Sequence, residues 1–211
     1  MKAVVIGAGG QARIVYEILQ FNHNIDVVAF IDNSPRGSDE DIMRVPVLGP
    51  HSVVSDLIDD GVEGFIVAIG DNEVRSQHFE KFKNMGLIPI SAIHHNAHIS
   101  PSANLGDGVV VQSSAELMTN VTVGNNTIIN TGTIIEHEVS IDDNAHVGPG
   151  TTVAGRVNIG AMTFVGMGCA VKENTEIGKD VIVGAGSVVL DDVAPGLIIA
   201  GSPAEIVGIN E

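Results

Sequence analysis

The chain has no tryptophan, one tyrosine, six phenylalanines and one cysteine in 211 residues. An internal disulfide is therefore impossible, which fits a reducing compartment. Aromatic side chains are too few to fill a core, so aliphatic residues have to. Basic residues are scarce as well: ten Lys and Arg stand against 26 Asp and Glu, for a net charge of −16. That balance reverses the attraction on which binding to nucleic acid or to an anionic membrane depends. Neither is expected as a partner. No run of eighteen apolar residues occurs, and the first apolar stretch, Ala3 to Ile6, stops at Gly7. Without a membrane span or an export leader, the expected location is the cytoplasm, in soluble form.

What the chain does have is a period. Every sixth residue from Ile99 to Val189 is Ile, Leu or Val, sixteen times without a gap. Four residues after each stands a small or β-branched residue, as in Thr127, Thr133, Val139, Ala145, Thr151 and Cys169. A period of six fits neither one amphipathic helix nor a hairpin series; a coil of short strands joined by tight turns accounts for it. Glycine recurs just after the apolar position, at Gly106, Gly124, Gly148, Gly160, Gly166, Gly178 and Gly184, where a positive φ or close approach to the next coil would be tolerated. The expected architecture is a parallel β-helix of about five coils, roughly 25 Å tall. Cys169 lies in the small inward register and reads as core filler rather than as a reactive thiol.

The first 95 residues alternate strand-like and helix-like segments and predict a small Rossmann-like parallel α/β domain, giving a division into 1–95 and 96–211. Expected strands are Lys2 to Ile6, Val27 to Ile31, Gly64 to Ile69 and Leu87 to Ile90. Expected helices are Gln11 to Phe21, with Ile14, Ile18 and Leu19 on one face, a helix capped by Ser52 that runs to Ile58, and Asn72 to Met85. Gly7-x-Gly9-x-x-Ala12 after the first strand, with Asp32 about twenty residues on, satisfies a dinucleotide fingerprint. With only about four strands before the repeat, one nucleotide diphosphate is preferred over NAD and over a purely structural glycine turn. Gly70-Asp71-Asn72 falls on the same carboxyl edge.

His94-His95-x-x-His98 has no Cys or carboxylate at a spacing that would complete a ligand set, so no metal is expected. His137 and His146 occupy outward or turn positions of the repeat, where a solvated histidine is the plain reading.

The ladder, Gly7-Ala8-Gly9-Gly10, Ala68 to Arg75, Ile93-His94 followed by Ile99-Ser100-Pro101, and Asn130-Thr131-Gly132 leading to Ile135-Glu136-His137-Glu138 together resemble the bacterial sugar acetyltransferases. These are typified by the bacillosamine-pathway N-acetyltransferase and the sialic acid O-acetyltransferases. The resemblance covers essentially the whole chain and implies a left-handed β-helix, a homotrimer, acetyl-CoA as donor and a nucleotide-linked amino sugar as acceptor. It makes His137 the general base, Glu138 its orienting carboxylate and His146 a contact for the acetyl thioester.

It also implies a nucleotide-sugar site on Gly9, Gly10, Gln11, Asp32, Asn33, Ile69 and Gly70, with Asn130 and Glu136 toward the sugar. CoA is assigned to backbone near Gly155 and Ala185, with Arg156 and Lys172 nearby. The family usually has His where this chain has Gln11. Glu205, Ile206 and Val207 follow Gly201-Ser202-Pro203-Ala204 where a basic residue often stands. The expected activity is N-acetylation of a UDP-linked 4-amino-4,6-dideoxy sugar for a surface glycan. Sugar O-acetylation, a GDP-linked acceptor and a non-catalytic binding trimer are the alternatives. Nine residues separate His137 from His146, half of an eighteen-residue coil, so one pocket holding both would have to be built between neighbouring chains.

Overall fold

A computed structural model describes residues 1–22, 24–33 and 41–210. They form two compact units, Met1–Ala92 and Ile93–Glu211.

The first unit is a six-stranded sheet built from β1 (Lys2–Ile6), β2 (Asp26–Ile31), β3 (Asp41–Ile42), β4 (Val45–Leu48), β5 (Val62–Val67) and β6 (Ile88–Pro89), in the order β3-β4-β2-β1-β5-β6. All pairings are parallel except β3 with β4. The expectation of about four strands was short by the β3–β4 hairpin. Its strands have two and four residues, too few for a period to show, and Pro46 sits exposed where β4 pairs with β3.

Helices α1 (Gly10–Gln20), α2 (Val53–Asp59) and α3 (Asn72–Asn84) connect the strands. The buried stripe of α1 is Ala12, Val15, Tyr16, Ile18 and Leu19, at helical spacing. Ile14, expected on one face with Ile18 and Leu19, is 41% exposed because its place around the helix lies more than a quarter turn from the centre of that stripe. Ser52 precedes α2 without capping it through its side chain, whereas Asp71 accepts the Val74 amide at 2.9 Å and starts α3. Strand order reverses around β1, which pairs with both β2 and β5, so the turns after these three strands share one carboxyl edge.

The second unit is the expected parallel β-helix. Two-residue strands repeat every six residues and stack eighteen residues apart into three faces. The first face contains Val110–Val111, Ile128–Ile129, His146–Val147, Phe164–Val165 and Ile182–Val183. The second contains Glu116–Leu117, Ile134–Ile135, Thr152–Val153, Ala170–Val171 and Val188–Val189. The third contains Asn104–Leu105, Thr122–Val123, Ser140–Ile141, Asn158–Ile159 and Glu176–Ile177. A C-terminal hairpin, Leu197–Gly201 with Ala204–Ile209, extends the first face.

Leu117, Ile129, Ile135, Val147, Val153 and Val165 are fully buried, while Ile99 and Leu105 at the start of the ladder are only half-buried. The small register packs among them and bonds to the next coil: the Thr151 hydroxyl donates to the Gly166 carbonyl at 2.8 Å and the Thr163 hydroxyl to Gly178 at 2.7 Å. Cys169 sits in that register at 2% exposure with Sγ 3.2 Å from the Gly184 carbonyl, and burial raises its pKa, which keeps the thiol protonated.

The two readings of the recurrent glycines separate. Gly106, Gly124, Gly148, Gly160, Gly166, Gly178 and Gly184 are close-approach positions; a Cβ on Gly166 would lie 2.6 Å from the Ala185 nitrogen and 2.8 Å from the Val183 oxygen. Positive φ falls two residues later, at Gly108, Ser114, Asn120, Asn126, Gly132, Glu138, Asn144, Gly150, Arg156, Met162, Gly168, Asn174, Asp180 and Gly186.

Candidate functional site

On the first unit, three turns meet at the carboxyl edge. Gly7 has φ +103°, and a Cβ there would stand 3.0 Å from Ile69 Cγ1 and 3.1 Å from the Ala68 oxygen, so the turn after β1 demands glycine. The Ala8 amide donates to Asp32 Oδ2 at 3.1 Å, which ties the glycine turn to the end of β2. Asp32 is thus held by the turn it was expected to assist. Gly9 caps α1 without a side-chain hydrogen bond, and a Cβ on Gly9, Gly10 or Gly70 would meet nothing within 4 Å. Gln11 is half-buried in the first turn of α1.

Sequence reading passed over what fixes the third turn. Arg75, at 1% exposure, donates to the carbonyls of Ile69 at 3.2 Å and Gly70 at 3.1 Å and to Asn72 Oδ1 at 2.7 Å. Burial lowers its pKa to about 10, with Asp71 opposing the shift, so it remains a cation. The signal was an arginine one helical turn after Asn72.

Two further histidines border this edge. The His51 amide donates to Asn33 Oδ1 at 3.2 Å, and its ring stands edge-on to His78 at 4.6 Å and to Phe82 at 5.4 Å. Burial, then the charges of His78 and Lys81, lower the His51 pKa to about 4, with Asp32 opposing. The imidazole is neutral at pH 7. His78 is lowered too, burial again being the largest cause. No periodic or motif signal marks either residue.

On the β-helix, the candidate residues fall into two groups. The first lies on the edge where the second face turns into the third. His137 and Glu138 form the turn after Ile134–Ile135, both about half exposed, with Nδ1 of His137 3.2 Å from Glu138 Oε2. Glu136 begins the same turn. One coil further on, Gly155 lies beneath the His137 ring, and Arg156 Nη1 is 3.8 Å from Glu138 Oε2 while its Nε donates to Asn174 Oδ1 at 2.7 Å. Lys172, two coils from Glu136 on this edge, donates to the Leu190 carbonyl at 3.3 Å.

The second group lies on the first face and its edge with the second. His146 Nε2 is 3.2 Å from Asn130 Nδ2, and its ring meets Phe164 edge-on at 5.1 Å. Although His146 points outward, these neighbours leave it 8% exposed; it is not the solvated position expected. Ala185 is on the same edge as Asn130, in the turn after Ile182–Val183.

In a three-faced prism, the edge carrying His137 is opposite the face carrying His146, with the buried ladder between them. One chain keeps the two groups apart. His94 and His95 stack on one another at 4.3 Å, and His94 Nδ1 accepts the Asn96 amide. A depression of about 550 Å³ on the third face, lined by residues such as Asn104, Thr122, Ser140 and Asp142, is shallow and contains none of the candidate residues.

Chemically, the His137–Glu138 pair suits a general base. A carboxylate at Nδ1 holds the imidazole in the tautomer whose Nε2 lone pair faces out. Nε2 has no hydrogen-bond partner among the described residues.

Comparison with known proteins identifies the family of the fold. Residues 2–82 match the PglD N-terminal domain, and residues 156–191 match the bacterial transferase hexapeptide repeat. No curated protein matches in sequence. Among solved structures, PerB from Caulobacter crescentus, in complex with CoA and GDP-perosamine, is 36% identical with a TM-score of 0.94 over 99% of this chain and 98% of its own. The acetyltransferase domain of PglB from Neisseria gonorrhoeae, in complex with acetyl coenzyme A, is 30% identical with a TM-score of 0.91 over 98% of both chains. WeeI from Acinetobacter baumannii, 24% identical with a TM-score of 0.86 over 98% of this chain and all of its own, shares the fold. Matched along nearly its whole length by relatives at 30% identity and above, the chain belongs to the hexapeptide-repeat acyltransferases with a PglD-type N-terminal domain, and it is an acetyltransferase.

Proposed function

We propose that the protein transfers acetyl from acetyl-CoA to the amino group of a nucleotide-linked 4-amino-4,6-dideoxy sugar. The observation that carries this reading is the exposed His137–Glu138 pair, 3.2 Å apart on one edge of the prism. An amine attacks a thioester through its lone pair and must lose a proton as the new bond forms. The nitrogen adds to the thioester carbonyl, its proton passes to Nε2 of His137, and the Nδ1 proton stays shared with Glu138. The C–S bond then breaks, and the CoA sulfur leaves and takes up the proton from the imidazolium. No acyl-enzyme is needed, in keeping with a buried, protonated Cys169.

His146 and Asn130 lie on the opposite face, which supports a composite site with His137 from one chain of a trimer and His146 from the next. The carboxyl edge of the first unit, with its open surface over Gly9, Gly10 and Gly70, is the proposed nucleotide site. The expected acceptor nucleotide was UDP; the neighbour crystallised with GDP-perosamine favours GDP.

Thiol release from acetyl-CoA with a panel of UDP- and GDP-linked amino sugars tests the reading. Release with an amino sugar, lowered about 10²-fold or more by His137→Ala, is the expected result. Release only with hydroxyl acceptors would replace it with O-acetylation, and intact trimers that release nothing would replace it with a binding role.

A further inference from the structure

The turn one coil beyond the catalytic pair has two unusual features. Gly155 is buried and has no positive φ, so no backbone conformation requires glycine there. A Cβ at that position would meet the His137 ring first, 2.5 Å from both Cε1 and Nε2 and 3.1 Å from Cδ2. The glycine is explained by the imidazole that lies over it.

Arg156 is the second feature. Along this edge the positive-φ turn residue is Asn120, Glu138, Arg156 and Asn174 in successive coils, at φ +58°, +61°, +59° and +60°. Asparagine is at home in that region; glutamate and arginine are not. The two that depart from asparagine lie in adjacent coils and form an ion pair, with 3.8 Å between Arg156 Nη1 and Glu138 Oε2. Arg156 bridges Asn174 on one side and Glu138 on the other, and Glu138 holds His137. An exposed ion pair of this kind adds little to stability. What it changes is where the carboxylate sits.

We propose that Gly155 and Arg156 are positioning residues for acetyl transfer: Gly155 leaves the space in which the His137 ring lies, and Arg156, braced by Asn174, fixes the Glu138 carboxylate against Nδ1. The proposal rests on His137 being the base. It differs from the sequence-level assignment of both residues to CoA in what each variant does to the kinetics. Loss of a donor contact raises KM for acetyl-CoA, whereas loss of alignment lowers kcat with KM unchanged.

The atoms nearest the new methyl in Gly155→Ala all belong to the flexible His137 ring, and Arg156→Asn installs the residue that this turn favours, so both variants are expected to keep the fold. With acetyl-CoA and GDP-perosamine as substrates, Gly155→Ala lowers kcat about 10²-fold and Arg156→Asn about tenfold, because misplacing a catalytic group by an ångström has effects of that order. KM for acetyl-CoA stays within about twofold in both, and Arg156→Lys recovers part of the loss because it restores the charge without the guanidinium fork. Independently of turnover, imidazole 15N shifts, assigned by subtraction with His137→Ala, report a single Nδ1–H tautomer in the wild type and a mixture in Arg156→Asn.

If His137→Ala is inactive while both variants keep wild-type kcat and one tautomer, the seat is overturned and the base assignment stands. A tenfold rise in KM for acetyl-CoA at unchanged kcat overturns it in favour of donor contacts. Full activity in His137→Ala removes the base, and the seat with it.

Discussion

His51 is 6% exposed and has a pKa of about 4, so the fold keeps it neutral at a cost that appears only in acid. Below about pH 6.5 the unfolded chain takes up a proton there that the folded chain refuses. Its contribution to stability is complete above pH 6.5 and is lost as the pH falls through 4. The loss is on the order of 3 kcal/mol over that window. His51→Phe keeps a ring against His78 and Phe82, and the expected result is a flatter fall of Tm between pH 6.5 and 4 than in the wild type, measured by circular dichroism. Parallel curves would show that His51 carries no such term. At this scale the sequence put His137 and Glu138 side by side in a turn whose position the repeat dictates, while their proposed role came from the family resemblance alone. It concealed His51 and Arg75, whose burial comes from α3 packing on the sheet, an event with no local signature.

At the scale of the element, the repeat was legible because each coil buries the same register against the coil before it. Turn geometry was only half legible. Glycine serves two needs in this fold, a close approach and a positive φ, and the residue type does not say which. The two produce different mutants. In Gly166→Ala the new methyl meets the backbone of Ala185 and Val183, which cannot move without parting two coils. Destabilisation of about 2–3 kcal/mol is expected, read as a lower urea midpoint with unchanged slope. Gly155→Ala, whose methyl meets the His137 side chain first, should leave that midpoint in place. Equal midpoints for the two would remove the distinction.

For the whole molecule, the separation of His137 from His146 across the prism is what the proposed composite site rests on. In the proposed trimer, His137→Ala chains alone, or His146→Ala chains alone, would lack one half of every site. Mixed trimers of the two regain sites with both halves intact. Activity of co-refolded mixtures is expected to rise about 10-fold or more above either parent, measured by thiol release. Mixtures no better than their parents would show that His137 and His146 do not serve one shared site.

By itself the sequence determined the β-helix, the glycine turn after the first strand and the His137–Glu138 pair, because each is set by contacts that recur at a fixed spacing or between adjacent residues. Tertiary structure alone decided the β3–β4 hairpin, the burial of His146 beside Asn130 and Phe164, the Arg75 clamp, and the placement of Gly155 and Arg156 beside His137 and Glu138. Those depend on which coil or helix comes to rest against which, and stacking eighteen residues apart gives an arginine a partner that nothing in its own neighbourhood announces.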